Sequence, residues 1–308
     1  MTEISIIILT KNAGKNIEKT LKKIFEQKQE KSFEVMVVDS GSIDETIGII
    51  KKFPVKFFKI EPKDFQHGRT RNFVAEKAKG KYLVFISQDA VPVDNMWLEK
   101  LTKDLEKIEV AGVYGRQIPN ENTNPMEKFL LSIRYPLEKK IKSLDTGLSK
   151  IFSEHLIISN VNSAIKKALW EKYKFPENII LGEDRDFGKK AIMAGYTIIY
   201  EPGAAVYHGH NYNLKTVFQR YFDEGVSLSQ VYEDSEFNFK KQFDMGIKHI
   251  LKELSFLIKN KQLLWTPYAL LYNFAKCAAM FLGTKEQYLP IPSKCKRYIS
   301  RNKGYWKS

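Results

Sequence analysis

The chain has 308 residues, 43% of them apolar, enough for one large domain or two modest ones with a sizeable core. Its net charge of +14 is concentrated at one end. Residues 240–308 hold fourteen Lys or Arg against Asp244, Glu253 and Glu286, a surplus of +11 that calls for an acidic partner. The two cysteines, Cys277 and Cys295, are too few for a disulfide framework or a zinc site, so a protein with reduced, inert thiols is expected.

The first half alternates short β-branched runs with amphipathic segments. ISIIILT (4–10) reads as a strand ending in Lys11-Asn12, and Asn16–Phe25 as a helix with Ile17, Leu21, Ile24 and Phe25 on one face. FEVMVV is a strand that stops at Asp39, Asp44–Phe53 a helix, and residues 55–60 a strand. Thr70–Lys79 is predicted helical with Gly80 as its C-cap. YLVFI is a strand followed by Ser87-Gln88-Asp89. Val93–Lys107 is predicted helical behind an Asp94 cap, and residues 110–118 form a strand. Strands alternating with helices imply parallel βαβ units and a doubly wound sheet.

Residues 120–155 are polar around Met126–Ile133 and read as loop plus helix. LIISNVNSAI (156–165) reads as a strand turning into a second one. Glu183–Ala194 is a helix ended by Gly195. Residues 197–202 and 204–210 are two strands, and Leu214–Tyr232 is a helix. Met245–Ile258 is amphipathic. Leu263–Leu282 is nearly apolar all round, but Pro267, Asn273 and Lys276 interrupt it below the ~20 apolar residues of a spanning helix. The first apolar run lacks a basic leader and is too short for a signal peptide.

Carboxylates at the carboxyl ends of successive buried strands converge on the crevice where open α/β sheets bind ligands. Asp39, followed by Gly41, suits a nucleobase imide or a ribose hydroxyl, whereas Asp44 equally suits a helix N-cap. Asp89 suits Mg2+ or Mn2+, which prefer oxygen ligands and bridge to diphosphates. Arg69 and Arg71, near a helix start, suit a pyrophosphate. Glu183-Asp184 opens a helix; a carboxylate there can deprotonate a hydroxyl or simply favour the helix dipole. His208 and His210 follow a strand, and either offers imidazole to a metal. Trp97 and Trp170 read as packing residues.

Taken in order, SIIILTKN, VVDSGSIDET, GRTRN, FISQDAVP, NVNSA and GEDRDFG resemble a family 2 glycosyltransferase over roughly residues 3–230. FQHGRTRN, SQDAVP, YGRQIP and EPGAAVYHGH further resemble bacterial rhamnosyltransferases that use dTDP-L-rhamnose in surface polysaccharide synthesis. The resemblance implies a GT-A fold: an α/β, Rossmann-like, mostly parallel mixed sheet flanked by helices. It places a catalytic domain over 1–235; the helical, basic region over 236–308 reads, from Leu263–Leu282 and the +11 charge, as a membrane-surface module or else an oligomerisation element. The resemblance implies Asp184 as catalytic base, with Glu183 in reserve, and Asp89 and His208 as ligands of Mn2+ or Mg2+. Donor binding falls to Thr10, Asn12, Asp39 and Gly41 on the first two strand ends, and to Arg69, Arg71, Gln88 and Asp89 beyond them. Ser87 replaces the first acid of the family's D-x-D pattern, and the Q-x-x-R-W motif of processive synthases is absent.

The implied reaction is an inverting, metal-dependent transfer of L-rhamnose from dTDP-β-L-rhamnose to a polyprenyl-diphosphate-linked glycan. The implied place is cytoplasmic, on the inner face of the plasma membrane and against anionic lipid. Homo-oligomers are compatible with it; nucleic acid is not an expected partner. A UDP-hexose donor is the nearest alternative. A sugar-1-phosphate nucleotidyltransferase would need a longer phosphate loop than Lys11-Asn12-Ala13-Gly14. A non-catalytic polyanion binder or scaffold is the alternative of another class.

Overall fold

The structure is a computed structural model. It describes residues 2–147, 157–232 and 239–306, with the backbone alone for 239–243. The chain divides into two compact units. The first comprises residues 1–120, 134–177 and 183–208; the second comprises 121–133, 178–182 and 209–308. The boundary expected after residue 235 therefore falls inside the second unit.

The first unit is built on one nine-stranded mixed sheet. Its strands are β1 (Ile4–Thr10), β2 (Phe33–Asp39), β3 (Lys56–Lys59), β4 (Tyr82–Ile86), β5 (Val91–Pro92), β6 (Val110–Ile118), β7 (Lys140–Lys142), β8 (Asn162–Lys166) and β9 (Thr197–Tyr207). The order is β3-β2-β1-β4-β8-β6-β9-β5, with β7 also on β9. β3, β2, β1 and β4 are mutually parallel. β8 runs antiparallel to β4 and β6, while β6 and β9 are parallel. The parallel half carries near-continuous apolar runs because helices cover both of its faces.

Helices α1 (Lys15–Phe25), α2 (Thr46–Ile50), α3 (His67–Ala75) and α4 (Trp97–Thr102) connect these strands. Alternation along the strands divides the core. Ile4, Ile6, Ile8, Val35, Val37 and Val84 pack with Ile17, Leu21, Trp97 and Leu101. Phe85, on the opposite parity of β4, meets Phe175, whose ring in turn meets Phe187. Both tryptophans read as packing residues are buried, and each satisfies its indole N–H. Trp97 donates to Asn162 Oδ1 and Trp170 to Asn72 Oδ1.

Several boundaries differ from the sequence reading. α3 starts three residues early because the Gln66 side chain caps it, accepting from Arg69 N–H at 2.6 Å. It ends at Ala75, so Gly80 is no C-cap; Gly80 N–H instead donates to Ser5 Oγ. Asp94 caps no helix. It accepts from Met96 N–H and pairs with Lys100 at 2.7 Å, and α4 gives way to a 3-10 turn at Lys103–Glu106. Only Asn162–Lys166 of residues 156–165 is strand; 157–161 bend and turn, and Leu156 lies outside the described residues, as do 148–155. The two strands expected around Gly203 are one, β9, irregular where Gly115 faces Glu201 and Gln117 faces Val206. Asn162 Nδ2 bridges that bulge to Ala204 O at 2.8 Å. A Cβ on Gly115 would lie 1.9 Å from the same carbonyl, so only glycine fits.

In the second unit, α5 (Pro125–Arg134) is followed in the chain by α6 (Lys167–Lys172) and α7 (Glu183–Met193), both of the first unit. Then come α8 (Leu214–Val231), α9 (Phe239–Lys259), α10 (Thr266–Thr284) and α11 (Ser293–Ile299). Val217, Phe222 and Val226 of α8 bury against Ala269, Tyr272 and Ala279 of α10. The two helices cross at backbone distance, since a Cβ on Gly283 would sit 2.2 Å from Phe222 O. Residues 209–232 therefore belong with the C-terminal helices.

α10 buries two polar residues beside Ala269, Tyr272 and Ala279 and leaves large apolar ones outside. Its polar residues Asn273 and Lys276 are 3% and 6% exposed. Asn273 hydrogen-bonds Glu253, and the Lys276 ammonium lies 5.0 Å from the ring centroids of both Tyr221 and Tyr272. Its apolar residues Leu270, Leu271, Phe274 and Phe281 face out, Phe274 at 73% exposure. Among the described residues no helix is long and apolar enough to cross a membrane.

Candidate active site

The parallel register sets the site. Thr10 lies opposite Asp39, and extending the β1–β4 pairing brings Gln88 level with Thr10. Thr10 Oγ1 accordingly donates to Gln88 Oε1 at 2.8 Å, which also accepts from Lys11 N–H. Asn12 sits at φ 48° and receives Ile43 N–H on Oδ1 at 3.0 Å. Asp39 is fully buried, and Oδ1 accepts from the N–H groups of Gly41 and Ser42, both at 2.9 Å. Its other oxygen accepts from Ser42 Oγ. Thr10, Asn12, Asp39, Gly41 and Gln88 thus share one connected loop cluster at the carboxyl edge. Asp44 accepts from Thr46 N–H but caps no helix, since the N-cap of α2 is Glu45.

A second register brings Asp89 to His208. β5 runs antiparallel to β9 with Val91 opposite Tyr207, so the residues just before β5 meet those just after β9. Asp89 Oδ1 lies 3.7 Å from His208 Nε2. The other ring nitrogen, Nδ1, is 2.9 Å from Gln117 Oε1. With Nδ1–H donating to that carbonyl, Nε2 carries the lone pair and faces the carboxylate. Gln117 is held in turn, its Nε2 donating to Tyr135 Oη at 2.6 Å and to Ser159 Oγ at 3.3 Å. A carboxylate oxygen and an imidazole nitrogen at this separation fit one divalent ion at about 2.0–2.2 Å from each. His210 belongs to the second unit, where its ring stacks on Tyr212 at 5.1 Å.

The acidic pair divides into two roles. Glu183 Oε1 is 2.8 Å from Arg71 Nη1 and accepts from Asn160 Nδ2 at 3.2 Å. Asp184 accepts from Asn160 N–H and from its neighbour Arg185 N–H, both at 2.8 Å. Burial, then the adjacent Glu183 charge, push the Asp184 carboxyl up to about 6, against the Asn160 N–H and the charges of Arg185 and Arg71. Glu183 is the compensated member of the pair and Asp184 the one tuned toward proton uptake. Arg71 serves Glu183 here. Arg69 is exposed and 3.3 Å from Glu177.

Asn160, Gln117, Ser159 and Tyr135 were not singled out by the sequence reading. Each acts through a partner remote in the chain, as Gln117 and His208 do 91 residues apart. The signal that could have found Asn160 and Ser159 was their place in SNVNSA.

The family model described as glycosyl transferase family 2 matches residues 5–173. O-antigen chain rhamnosyltransferase RfbN of Salmonella typhimurium is 35% identical, covering 99% of this chain and 96% of that protein. O-antigen chain rhamnosyltransferase WbaN of Salmonella anatum is 33% identical with the same coverage. Among solved structures, mannosyltransferase PcManGT from Pyrobaculum calidifontis, in complex with GDP-Man and Mn2+, superposes with a TM-score of 0.55. It is 18% identical and covers 99% of this chain and 84% of that one. Staphylococcus aureus TarS (residues 1–349) reaches 0.52 at 17% identity, covering 93% and 91%. With the matched motifs lining one sheet edge, the chain belongs to glycosyl transferase family 2 and is a glycosyltransferase.

Proposed function

We propose that this protein is an inverting rhamnosyltransferase moving L-rhamnose from dTDP-β-L-rhamnose to a hydroxyl of a lipid-linked glycan. The observation that carries the sugar is near-full-length identity of 35% and 33% to two O-antigen chain rhamnosyltransferases. Asp184 takes the proton of the acceptor hydroxyl, which attacks the anomeric carbon from the face opposite the leaving group. Inversion of a β-donor gives an α-L-rhamnoside. Asp89 and His208 would hold Mn2+ or Mg2+, whose charge would offset that of the departing diphosphate. Gln117 keeps His208 in the tautomer that metal binding needs. Arg69, the more exposed of the two arginines, is the better placed to meet the diphosphate. Asp39 and its turn hold the nucleobase.

A donor panel tests the sugar: nucleotide release from dTDP-rhamnose, UDP-glucose, UDP-galactose, UDP-N-acetylglucosamine and GDP-mannose. Release from dTDP-rhamnose should dominate; a UDP-hexose outpacing it would refute the rhamnose donor and leave the transferase reading intact. Asp39→Ala should weaken dTDP binding about tenfold or more, since both base contact and turn order are lost. Calorimetry returning the native affinity contradicts that role.

The large apolar residues exposed on α10 and on the turn before it support a peripheral membrane position. Leu264, Leu271 and Phe274, at 97%, 58% and 73% exposure, offer apolar surface that reaches the lipid interface without spanning it. The +11 surplus over residues 240–308 adds up to ~1 kcal/mol per cation near anionic lipid. Truncation after residue 235 is a poor test, because it strips Val217 and Phe222 of their partners. Leu271→Asp with Phe274→Asp keeps that core. The native protein should float with phosphatidylserine vesicles at low salt, and the double variant should stay behind. Equal flotation of both, or a native protein that stays at the bottom, removes the membrane reading.

A further inference from the structure

The second unit contains a cleft of about 670 Å³, which the chemistry of the sheet edge does not use. That volume lies inside the range of about 300–1,000 Å³ for small-molecule sites. Five side-chain amides line it, those of Asn122, Asn124, Asn211, Asn213 and Gln262, with three aromatic rings, Tyr212, Trp265 and Tyr268. Only Glu121 and Lys128 among its lining residues are charged, and the Lys128 ammonium donates to Glu121 O at 2.7 Å.

The amides are preset. Asn211 Oδ1 receives Asn124 N–H and its Nδ2 donates to Asn122 O, both at 2.7 Å. Asn124 Oδ1 accepts from Glu127 N–H and Asn213 Oδ1 from Thr216 N–H, both at 2.9 Å, which leaves each NH2 group as a donor. Gln262 Oε1 is buried with no hydrogen-bond partner among the described residues. A buried orphan acceptor costs roughly 1–3 kcal/mol, and a ligand hydroxyl would relieve it on turning the amide into the cleft. Trp265 meets Tyr268 in a T-shaped contact at 6.0 Å and remains 40% exposed, so part of its indole is open to a ligand.

Donor amides, an orphan acceptor and an open indole, with little net charge, match the alternating hydroxyls and C–H face of a neutral pyranose. They do not match a phosphate, which would need cations. We infer that this cleft is a subsite for a neutral sugar residue of the acceptor glycan, with Trp265 as its stacking platform and Gln262 accepting from a sugar hydroxyl. The inference rests on the transferase reading, because only an enzyme extending a glycan needs to hold its acceptor away from the reacting hydroxyl.

Saturation-transfer NMR on the full chain provides the test, with methyl α-L-rhamnoside, methyl α-D-galactoside and methyl α-D-mannoside as probes. At least one should receive saturation from the native protein. Its affinity should fall about tenfold in Trp265→Ala and in Gln262→Ala and persist in Trp265→Phe. Nucleotide release from dTDP-rhamnose without acceptor should be unchanged in all three variants, which also establishes that they fold. No saturation of any glycoside, or native binding in Trp265→Ala, overturns the subsite. Absent nucleotide release by the native protein strikes instead at the transferase reading.

Discussion

Asp184→Asn is expected to lower the turnover number roughly 10²–10⁴-fold, the usual contribution of a general base, with donor affinity nearly unchanged. Asparagine keeps the shape but has one acceptor oxygen, so it retains only one of the two bonds from the N–H groups of Asn160 and Arg185; a melting curve close to the native one shows that folding survives. What it lacks is a place for the acceptor's proton. The pH profile provides an independent check. The raised Asp184 carboxyl is protonated, and idle as a base, below about 6, so the native rate should climb through that value and level off above it. The Asn variant should lose that limb. Glu183→Gln separates the two acids, because Glu183 is already paired with Arg71 at 2.8 Å. If Asp184→Asn stays near the native rate while Glu183→Gln is dead, the base is Glu183.

Asp89→Ala should depress transfer on the order of 10³-fold, the upper end of the cost of removing one electrostatic stabiliser. The residue lies on a turn after β4, outside the core, so the melting temperature should hardly move. EDTA should reproduce the loss in the native protein, and added Mn2+ should reverse it there but not in the variant. Titration of Mn2+ by electron paramagnetic resonance gives a readout apart from turnover: the variant should bind the ion more weakly. Full activity in EDTA sinks the metal assignment.

The strands β1, β2 and β4 were legible almost to the residue, because each is a nearly continuous apolar run that both faces of the sheet bury. The start of α3 was not, since its cap is Gln66 rather than a short Ser, Thr, Asp or Asn. β9 read as two strands because Pro202-Gly203 marks a break locally, whereas pairing with β6 carries the strand through the bulge. The division between the units hid for the same reason. The Gly225–Gly283 crossing joins positions 58 residues apart, and no local pattern announces it. At the site, residue types that carry chemistry on their own were readable from their places at strand ends. Gln117, Asn160 and Tyr135 draw their meaning from partners, so composition and periodicity leave them anonymous, while Arg71, expected at a pyrophosphate, pairs with Glu183.

The pairing of Val91 with Tyr207 makes the length of the chain ahead of His208 matter more than its composition. Val206 is buried and Tyr207 faces out. Adding or deleting one residue between Ala204 and Tyr207 would swap those faces and carry His208 about 3.3 Å along the strand, away from Asp89. Side-chain replacements there need only respect inside and outside. In a library of random variants, this stretch should accept substitutions that keep the inside apolar and small, and reject almost every insertion or deletion.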